Sequence, residues 1–363
     1  MPAPITRAVG HIVLLDAYLK MQILGMRPPH QLKAIAAKGK VGNRHFLGYW
    51  EPFITVIEEA NEIESLVAAG LTGDYGNSGV VVEGKADLLP NAAARVQARW
   101  ETEDRPPLIK VRDEDRRRGR ATLKEWGIGD DDWFVGLHVR EAGFHTAAGA
   151  KDSLGHRNAS IAMFDRAIDR IVERGGWVIR MGDPSMTPIR PRERVVDYAL
   201  GPYKSEWLDV FLGGCCRFFV GGASGFQMLP FTFGVPCAVA NAAPMGSRPI
   251  SGADIFIPKL YRTVEGHFLS FVDSTATPLG HSALVKLYDA RGVSLIENSA
   301  EEIEALVVEM LDRLEGRLAY TDEDERLQAQ FRAETAPHSA WGTNSRIGRD
   351  FLRRHRDLLE TQP

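Results

Sequence analysis

Residues 205–225 read SEWLDVFLGGCCRFFVGGASG, and the fold turns on this stretch. After Ser205, a residue type suited to N-capping, Trp207, Leu208, Val210, Phe211 and Leu212 recur at helical spacing. The run RFFV at 217–220 then has the length and composition of a buried strand, and the small residues GGASG close it with a tight turn. The same alternation extends in both directions. Upstream, WFVGLHV (133–139) and WVIRM (177–181) are apolar strand runs. Between them lies a helix expected from Ser160 to Arg174, with Ile161, Phe164, Ile168, Ile171 and Val172 on one face and Gly175-Gly176 as its stop. Val195-Val196, 235–240 and 254–257 supply further strands, and 301–314 is an amphipathic helix. Strands alternating with helices at this spacing define βαβ units, hence an α/β fold with a doubly wound parallel sheet.

The 363 residues exceed one ordinary core and suit two domains. The polar stretch ETEDRPPLIKVRDEDRRRGR (101–120) reads as a solvated linker or helix start, which puts the boundary near residue 125. Before it, 8–15 (AVGHIVLL), 53–57 (FITVI) and 79–82 read as strands, 39–50 carries turn signals, and 12–24 and 91–100 permit helices. The units expected are therefore 1–125, 126–340 and a C-terminal helix at 341–363.

With 44 Lys and Arg against 48 Asp and Glu, the net charge of -4 provides no global attraction for nucleic acid or an anionic membrane. Any phosphate must be held by a local site. No run of about 20 apolar residues occurs, and Arg7, His11, Asp16 and Lys20 interrupt the apolar segment 5–26, so neither a membrane span nor a signal peptide is expected and the chain is expected to be cytoplasmic. Cys215, Cys216 and Cys237 lack metal-ligand spacing, and Cys215-Cys216 read as inert buried thiols; neither a metal nor a cofactor is expected.

In open α/β sheets ligands bind beyond the carboxyl ends of the strands. Four such ends carry more than solubility. His138-Val139-Arg140-Glu141 follows the first strand, and the planar Arg140 guanidinium can hold two phosphate oxygens. Gly182-Asp183 follows WVIRM, with an aspartate that either accepts from a ribose hydroxyl or forms an Asx-turn. Gly222, Ser224 and Gly225 lie in a turn that lets backbone N–H groups approach phosphate, although it is neither a dinucleotide fingerprint nor a P-loop. The loop 241–252 is a candidate for closing over a ligand. In the first part, Gly10-His11 offers a group that titrates near neutral pH, and Asn43-Arg44 lies in a second polar cluster.

The succession HVR, RMGDP, SEWLDVFLGGCCRFFVGGASG, FGVPCAVAN and DIFIPKLY, together with GHI (10–12), LGMRPP (24–29) and GKVGNRHFLGYW (39–50), resembles a bacterial glycosyltransferase family of surface-polysaccharide gene sets. More remotely, HVR and the helix–strand–Ser-Gly segment are similar to GDP-fucose-using α-1,6- and protein O-fucosyltransferases. That resemblance implies a GT-B enzyme, two Rossmann-like domains facing a cleft and generally working without a metal, the first holding the acceptor and the second the nucleotide sugar. It implies that Arg140, with His138, contacts the donor β-phosphate and Ser224 the diphosphate, and more loosely that Glu206 and Asp209 lie near the nucleotide. Where the fucosyltransferases have Asp in His-x-Arg-x-x-Asp, this chain has Gly143.

The function expected is metal-independent transfer of a sugar, fucose-like by the resemblance, from a nucleotide diphosphate donor to a glycan, lipid-linked or other hydroxyl acceptor. Arg140 would meet the charge developing on the leaving diphosphate, Asn43 and Arg44 would face the acceptor, and His11 or Glu141 would serve as base. The rival readings are a sugar-nucleotide epimerase of the same fold and a non-catalytic nucleotide- or glycan-binding module.

Overall fold

A computed structural model describes residues 9–70, 79–143, 154–246, 248–281, 284–338 and 344–359. Parts of 5–26, 241–252 and 341–363 lie outside these residues. In chain order the strands are β1 (Leu32–Ile35), β2 (Ile54–Ile57), β3 (Gly79–Val82), β4 (Lys85–Leu88), β5 (Phe134–His138), β6 (Trp177–Arg180), β7 (Val195–Val196), β8 (Phe219–Gly221), β9 (Cys237–Ala242), β10 (Ile255–Pro258), β11 (Leu260–Thr263), β12 (Val293–Ile296) and β13 (Arg346–Ile347).

Seven strands form one sheet in the order β13-β10-β9-β8-β5-β6-β7, every neighbouring pair parallel. Numbered within the sheet and read from the β7 edge, this is 3-2-1-4-5-6 with a seventh strand added, the Rossmann order. β5, β9 and β10 are buried along their whole length, as expected of strands covered on both faces. Helices Asp165–Glu173 and Ala300–Leu314 pack together, and Glu206–Cys215 packs against Asp113–Glu125 and Met228–Thr232. The main core draws Phe134, Val135, Ile168, Val178, Phe211, Phe219, Val239 and Phe256 into one cluster.

Several local expectations are corrected. Of the run expected as a strand at 8–15, the described residues 9–15 do not form one: Val9–His11 is a 3-10 turn and Leu14–Ile23 a helix, because a short apolar run does not distinguish the two and the helical period continues to Leu19. Ser160 and Ser205 occupy N-cap positions, but neither side chain caps. At 161–164 the first turn is 3-10, and at Ser205 the Tyr198 hydroxyl accepts from the backbone N–H and donates to the carbonyl, each at 3.0 Å. The loop 241–252 is packed rather than poised over a cleft: Met245 N–H donates to the Tyr261 hydroxyl at 3.0 Å, and buried Arg248 lies over Phe331. The segment expected as a C-terminal helix first contributes β13, which extends the sheet beside β10, before the short helix Arg349–Arg354.

The N-terminal part differs most from expectation. Among the described residues it holds a parallel pair, β1–β2, and an antiparallel hairpin, β3–β4, rather than a second Rossmann-like sheet. A second hydrophobic cluster joins Phe46, Leu47 and Trp50 to Val210, Leu229 and Phe231, so apolar packing crosses the boundary expected near 125. The stretch 101–120 is largely exposed and contains a helix start, that of Asp113–Glu125, but it is also tied to its surroundings. The Glu101 carboxylate accepts from Gly252 N–H at 3.1 Å, Trp100 donates to the Pro106 carbonyl at 3.0 Å, and Asp115 accepts from the Tyr49 hydroxyl at 2.5 Å while facing His45 at 2.7 Å.

Two tests follow from the packing. A Cβ at Gly119 would fall within the ring of buried Phe211, so the helices Asp113–Glu125 and Glu206–Cys215 meet where only glycine fits. Gly119→Ala should destabilise by roughly 1–3 kcal/mol despite alanine's higher helix propensity, seen as a lowered melting temperature. An unchanged or raised Tm would show that this contact relaxes freely.

At the amino end of β10, burial pushes the Asp254 carboxyl up to about 7, while hydrogen bonds from backbone N–H groups, including Cys237 at 2.8 Å, pull it the other way. Between about pH 4 and pH 7 the folded chain keeps a proton that the unfolded chain releases, so stability contributed here is lost as pH rises through that window, by up to about 1.4 kcal/mol per unit. Asp254→Asn keeps an acceptor for Cys237 and should flatten the fall between pH 5 and pH 8 in denaturant titrations; identical slopes in both proteins would count against it.

Candidate functional site at the sheet switch point

The strand order reverses between β5 and β8, the position where doubly wound sheets form a ligand crevice. His138 is the register partner of Gly221, so the two chain segments leave the sheet side by side. Gly222 N–H donates to the His138 carbonyl at 3.2 Å, and a Cβ at Gly221 would strike that same carbonyl oxygen. Glycine at 221 is therefore a steric requirement of the β5–β8 junction, whereas a Cβ at Gly222 would meet only ordinary contact.

His138 is 6% exposed and stacks on Phe226, ring centroids 5.0 Å apart at 6°. Burial first, then the charge of Arg180, lowers its pKa to about 3, so the imidazole is neutral and serves as a wall rather than a cation. Arg140, 7% exposed, donates to Leu154 O at 3.2 Å and to Asn158 Oδ1, while its own carbonyl accepts from Ala159 N–H at 3.0 Å. Arg157 Nε donates to the Ala223 carbonyl at 2.9 Å, tying the 154–158 segment to the glycine-rich turn. Within that turn Ser224 Oγ accepts from Phe226 N–H at 3.1 Å and caps the 3-10 turn Gly225–Gln227. The Ser224 hydroxyl proton thus remains available to another acceptor.

From the N-terminal part, Gly10 sits on Gly225 so closely that a Cβ there would lie 3.0 Å from its Cα. This brings His11 to the same edge, and burial lowers its pKa from the ordinary value. On the adjacent β6, Gly182 has φ +147° and Asp183 Oδ1 accepts from Ser185 N–H at 2.9 Å and Oγ at 2.5 Å, an Asx-turn. A Cβ at Gly143 would lie 2.6 Å from the Ser185 carbonyl, so a longer side chain at 143 is excluded while this turn keeps its place.

Other singled-out residues lie in structural pairings. Glu141 accepts from Thr187 N–H at 2.6 Å and stands 3.9 Å from fully buried Arg180. Glu206 accepts from Arg44 N–H at 2.7 Å and His45 N–H at 3.2 Å, and Asn43 donates to its carbonyl at 2.9 Å while capping Phe46 N–H at 2.7 Å. The Arg44 guanidinium is held by Glu51 and Glu58. Asp209 is buried against Lys204, 2.6 Å away. The edge therefore gathers His138, Arg140, Gly222, Ser224, Gly225 and His11, with Gly182 and Asp183 beside them, while Glu206, Asn43 and Arg44 knit two helix starts together.

Sequence reasoning missed Arg157 and Lys259. Lys259 follows the strand in DIFIP at its carboxyl end, the signal that singled out Arg140, and its Nζ donates to the Asn158 carbonyl at 2.6 Å. Among the described residues no group of three His, Cys, Asp or Glu side chains is placed to hold a metal ion, and no helix is long and apolar enough to cross a membrane. The cysteines are unpaired, and burial raises all three thiols, Cys216 to about 12.

No family model matches the chain, and no curated protein matches it. Among solved structures it is similar to the glycosyl transferase family 9 protein of Veillonella parvula DSM 2008, with 13% identity over 71% of this chain and 87% of that one and a TM-score of 0.44. It is also similar to the E. coli ADP-heptose LPS heptosyltransferase II, with 13% identity over 85% and 97% and a TM-score of 0.43. A third likeness is to the iron-containing dodecameric glycosyltransferase TibC of enterotoxigenic E. coli H10407, with 10% identity over 88% and 78% and a TM-score of 0.45. None of these three is a fucosyltransferase, and at such scores no role is carried from them to this chain.

Proposed function

We propose that this chain is a glycosyltransferase that binds a nucleotide diphosphate sugar in the crevice between the ends of β5 and β8. The supporting observation is the His138–Gly221 register, which sets Arg140 and the 222–225 turn on one edge at the switch point. Transfer of a glycosyl group places negative charge on the departing diphosphate, and an arginine already oriented by Asn158 and Leu154 meets that charge with little reorganisation. The Ser224 hydroxyl adds a neutral donor. The short turns Gly225–Gln227 and Met228–Thr232 behind it contribute little dipole, so Arg140 carries the larger share. Transfer on this reading needs no metal and is insensitive to a chelator.

The N-terminal part is the acceptor side, through the contact of Gly10 with Gly225. Of the two candidate bases, His11 fits better. Burial keeps its imidazole neutral near pH 7 and able to take the proton of an acceptor hydroxyl, and the Gly10–Gly225 contact sets it at the edge that carries Ser224. Asn43 and Arg44 shape that side through Glu206 rather than by reaching the acceptor. A fucose-like sugar carried by GDP, a glycan or lipid-linked hydroxyl acceptor, and a cytoplasmic setting complete the reading. A non-catalytic nucleotide-binding module is favoured by one observation, Gly143 in place of the aspartate; it would bind nucleotide and turn nothing over.

Thermal-shift measurement with GDP, UDP, dTDP, CMP and ADP should single out one base, since ligand at 100 times its Kd stabilises by about 2.7 kcal/mol. A chain stabilised by none of them does not have this donor site. With the matching sugar nucleotide, Arg140→Ala should lower transfer at least about tenfold with the circular dichroism spectrum intact; near-normal turnover would remove Arg140 from the mechanism. The rate should fall as pH drops through the depressed His11 pKa, and His11→Gln should abolish that limb; a limb that survives the substitution assigns the base elsewhere.

A further inference from the structure

Lys259, immediately after β10, is a second cation on the sheet edge that carries Arg140, and it is 3% exposed. Its Nζ donates to the backbone carbonyl of Asn158 at 2.6 Å, while Arg140 donates to the Asn158 side-chain oxygen. One residue therefore fixes both cations. Burial, and then the charge of Arg140, hold the Lys259 ammonium below the usual range, with Glu297 opposing. The Glu297 carboxylate lies 3.8 Å away, is 37% exposed, and is shared with Ser160 N–H at 3.2 Å. Burying an ammonium beside a guanidinium opposes folding, and the hydrogen bond to Asn158 and the Glu297 carboxylate offset that cost only in part.

The strand next to it is strained in the same neighbourhood. Asn241, near the end of β9, has φ +53°, and its backbone N–H and side-chain oxygen are locked to Asn298 at 2.6 and 2.8 Å. Asn298 in turn donates to the Pro258 carbonyl at 2.8 Å. The Asn241 amide nitrogen is fully buried with no hydrogen-bond partner among the described residues. A desolvated cation and a spare buried donor on adjoining strand ends are features of a site built for an anion.

We propose that Lys259 is a phosphate-binding residue: with Arg140 it holds the diphosphate of a nucleotide-linked substrate from the β10 side, Asn158 setting the spacing of the two cations. This rests on the donor-site reading above. A lysine that served only to fasten Asn158 would stabilise the fold and be indifferent to the number of phosphates on a ligand.

The test is calorimetric titration of wild type, Lys259→Met and Glu297→Gln with the nucleoside diphosphate selected by the thermal-shift measurement and with its monophosphate. Lys259→Met should weaken the diphosphate by about tenfold and the monophosphate by less than about threefold. Equal binding of the diphosphate, or equal loss of both nucleotides, would overturn the assignment. Should Lys259→Met fail to fold, Glu297→Gln decides: freeing Lys259 from its carboxylate should tighten the diphosphate by about two- to fivefold, and unchanged or weaker binding overturns it. Wild type that binds no nucleotide removes the donor site and this residue's role together, selection of CMP alone removes the diphosphate clamp, and wild-type binding matched by Lys259→Met removes only Lys259.

Discussion

The parallel pairing of β5 with β8 is the constraint on which the rest of the molecule depends. It exists because Gly221 has no side chain to strike the His138 carbonyl, and because Gly222 N–H continues the ladder onto that oxygen. Remove that fit and the two halves of the sheet cannot meet at this spacing. With it, the crevice walls follow without further design: Arg140 leaves one strand, the Ala223–Ser224 turn leaves the other, and Phe226 folds back to cover His138. Burial then keeps that histidine neutral, so the positive charge of the edge resides in its guanidinium and ammonium groups.

The N-terminal residues are fastened to this sheet by three kinds of contact. Apolar packing runs from Phe46 and Trp50 to Leu229 and Phe231. Polar closure comes from Glu206, whose carboxylate covers the first amides of the helix Arg44–Gly48 as Asn43 reaches the Glu206 carbonyl. Backbone proximity at Gly10 and Gly225 then delivers His11 to the crevice. The acidic and polar residues that a motif reading would assign to ligand are instead consumed in holding the two parts together, which leaves a lean site: two or three cations, one hydroxyl and one imidazole.

Much of the sheet was legible in the sequence because fully buried parallel strands are continuous apolar runs, and 133–139, 177–181 and 217–220 each map onto a strand to within two residues. In the N-terminal part 53–57 and 79–82 likewise map onto strands and 12–24 and 91–100 onto helices, but 8–15 was not legible, since AVGHIVLL satisfies a strand and the start of a helix equally well and only the later Leu19 separates them. Ser160 and Ser205 do stand at N-cap positions: residue type marks where a helix starts, while the 3-10 turn and the Tyr198 hydroxyl decide what the side chain does. Arg140 was visible as a cation at a strand end. Lys259 satisfied the same rule, but its meaning lies in Asn158, a partner 101 residues away that no local pattern points to. The contact of Glu206 with Asn43, across 163 residues, is equally invisible to spacing.

The β5–β8 junction also has a kinetic side. Gly136 and Phe219 pair across more than eighty residues of intervening chain, whereas β5 and β6 are neighbours within a single crossover. Closing a loop of that size slows assembly of the crevice. A chain halted before that step presents two apolar half-sheets with open parallel edges at Phe134–His138 and Phe219–Gly221. Those edges can template pairing with a second copy, so the stretch that builds the switch-point crevice is also where misassembly between nascent chains would start.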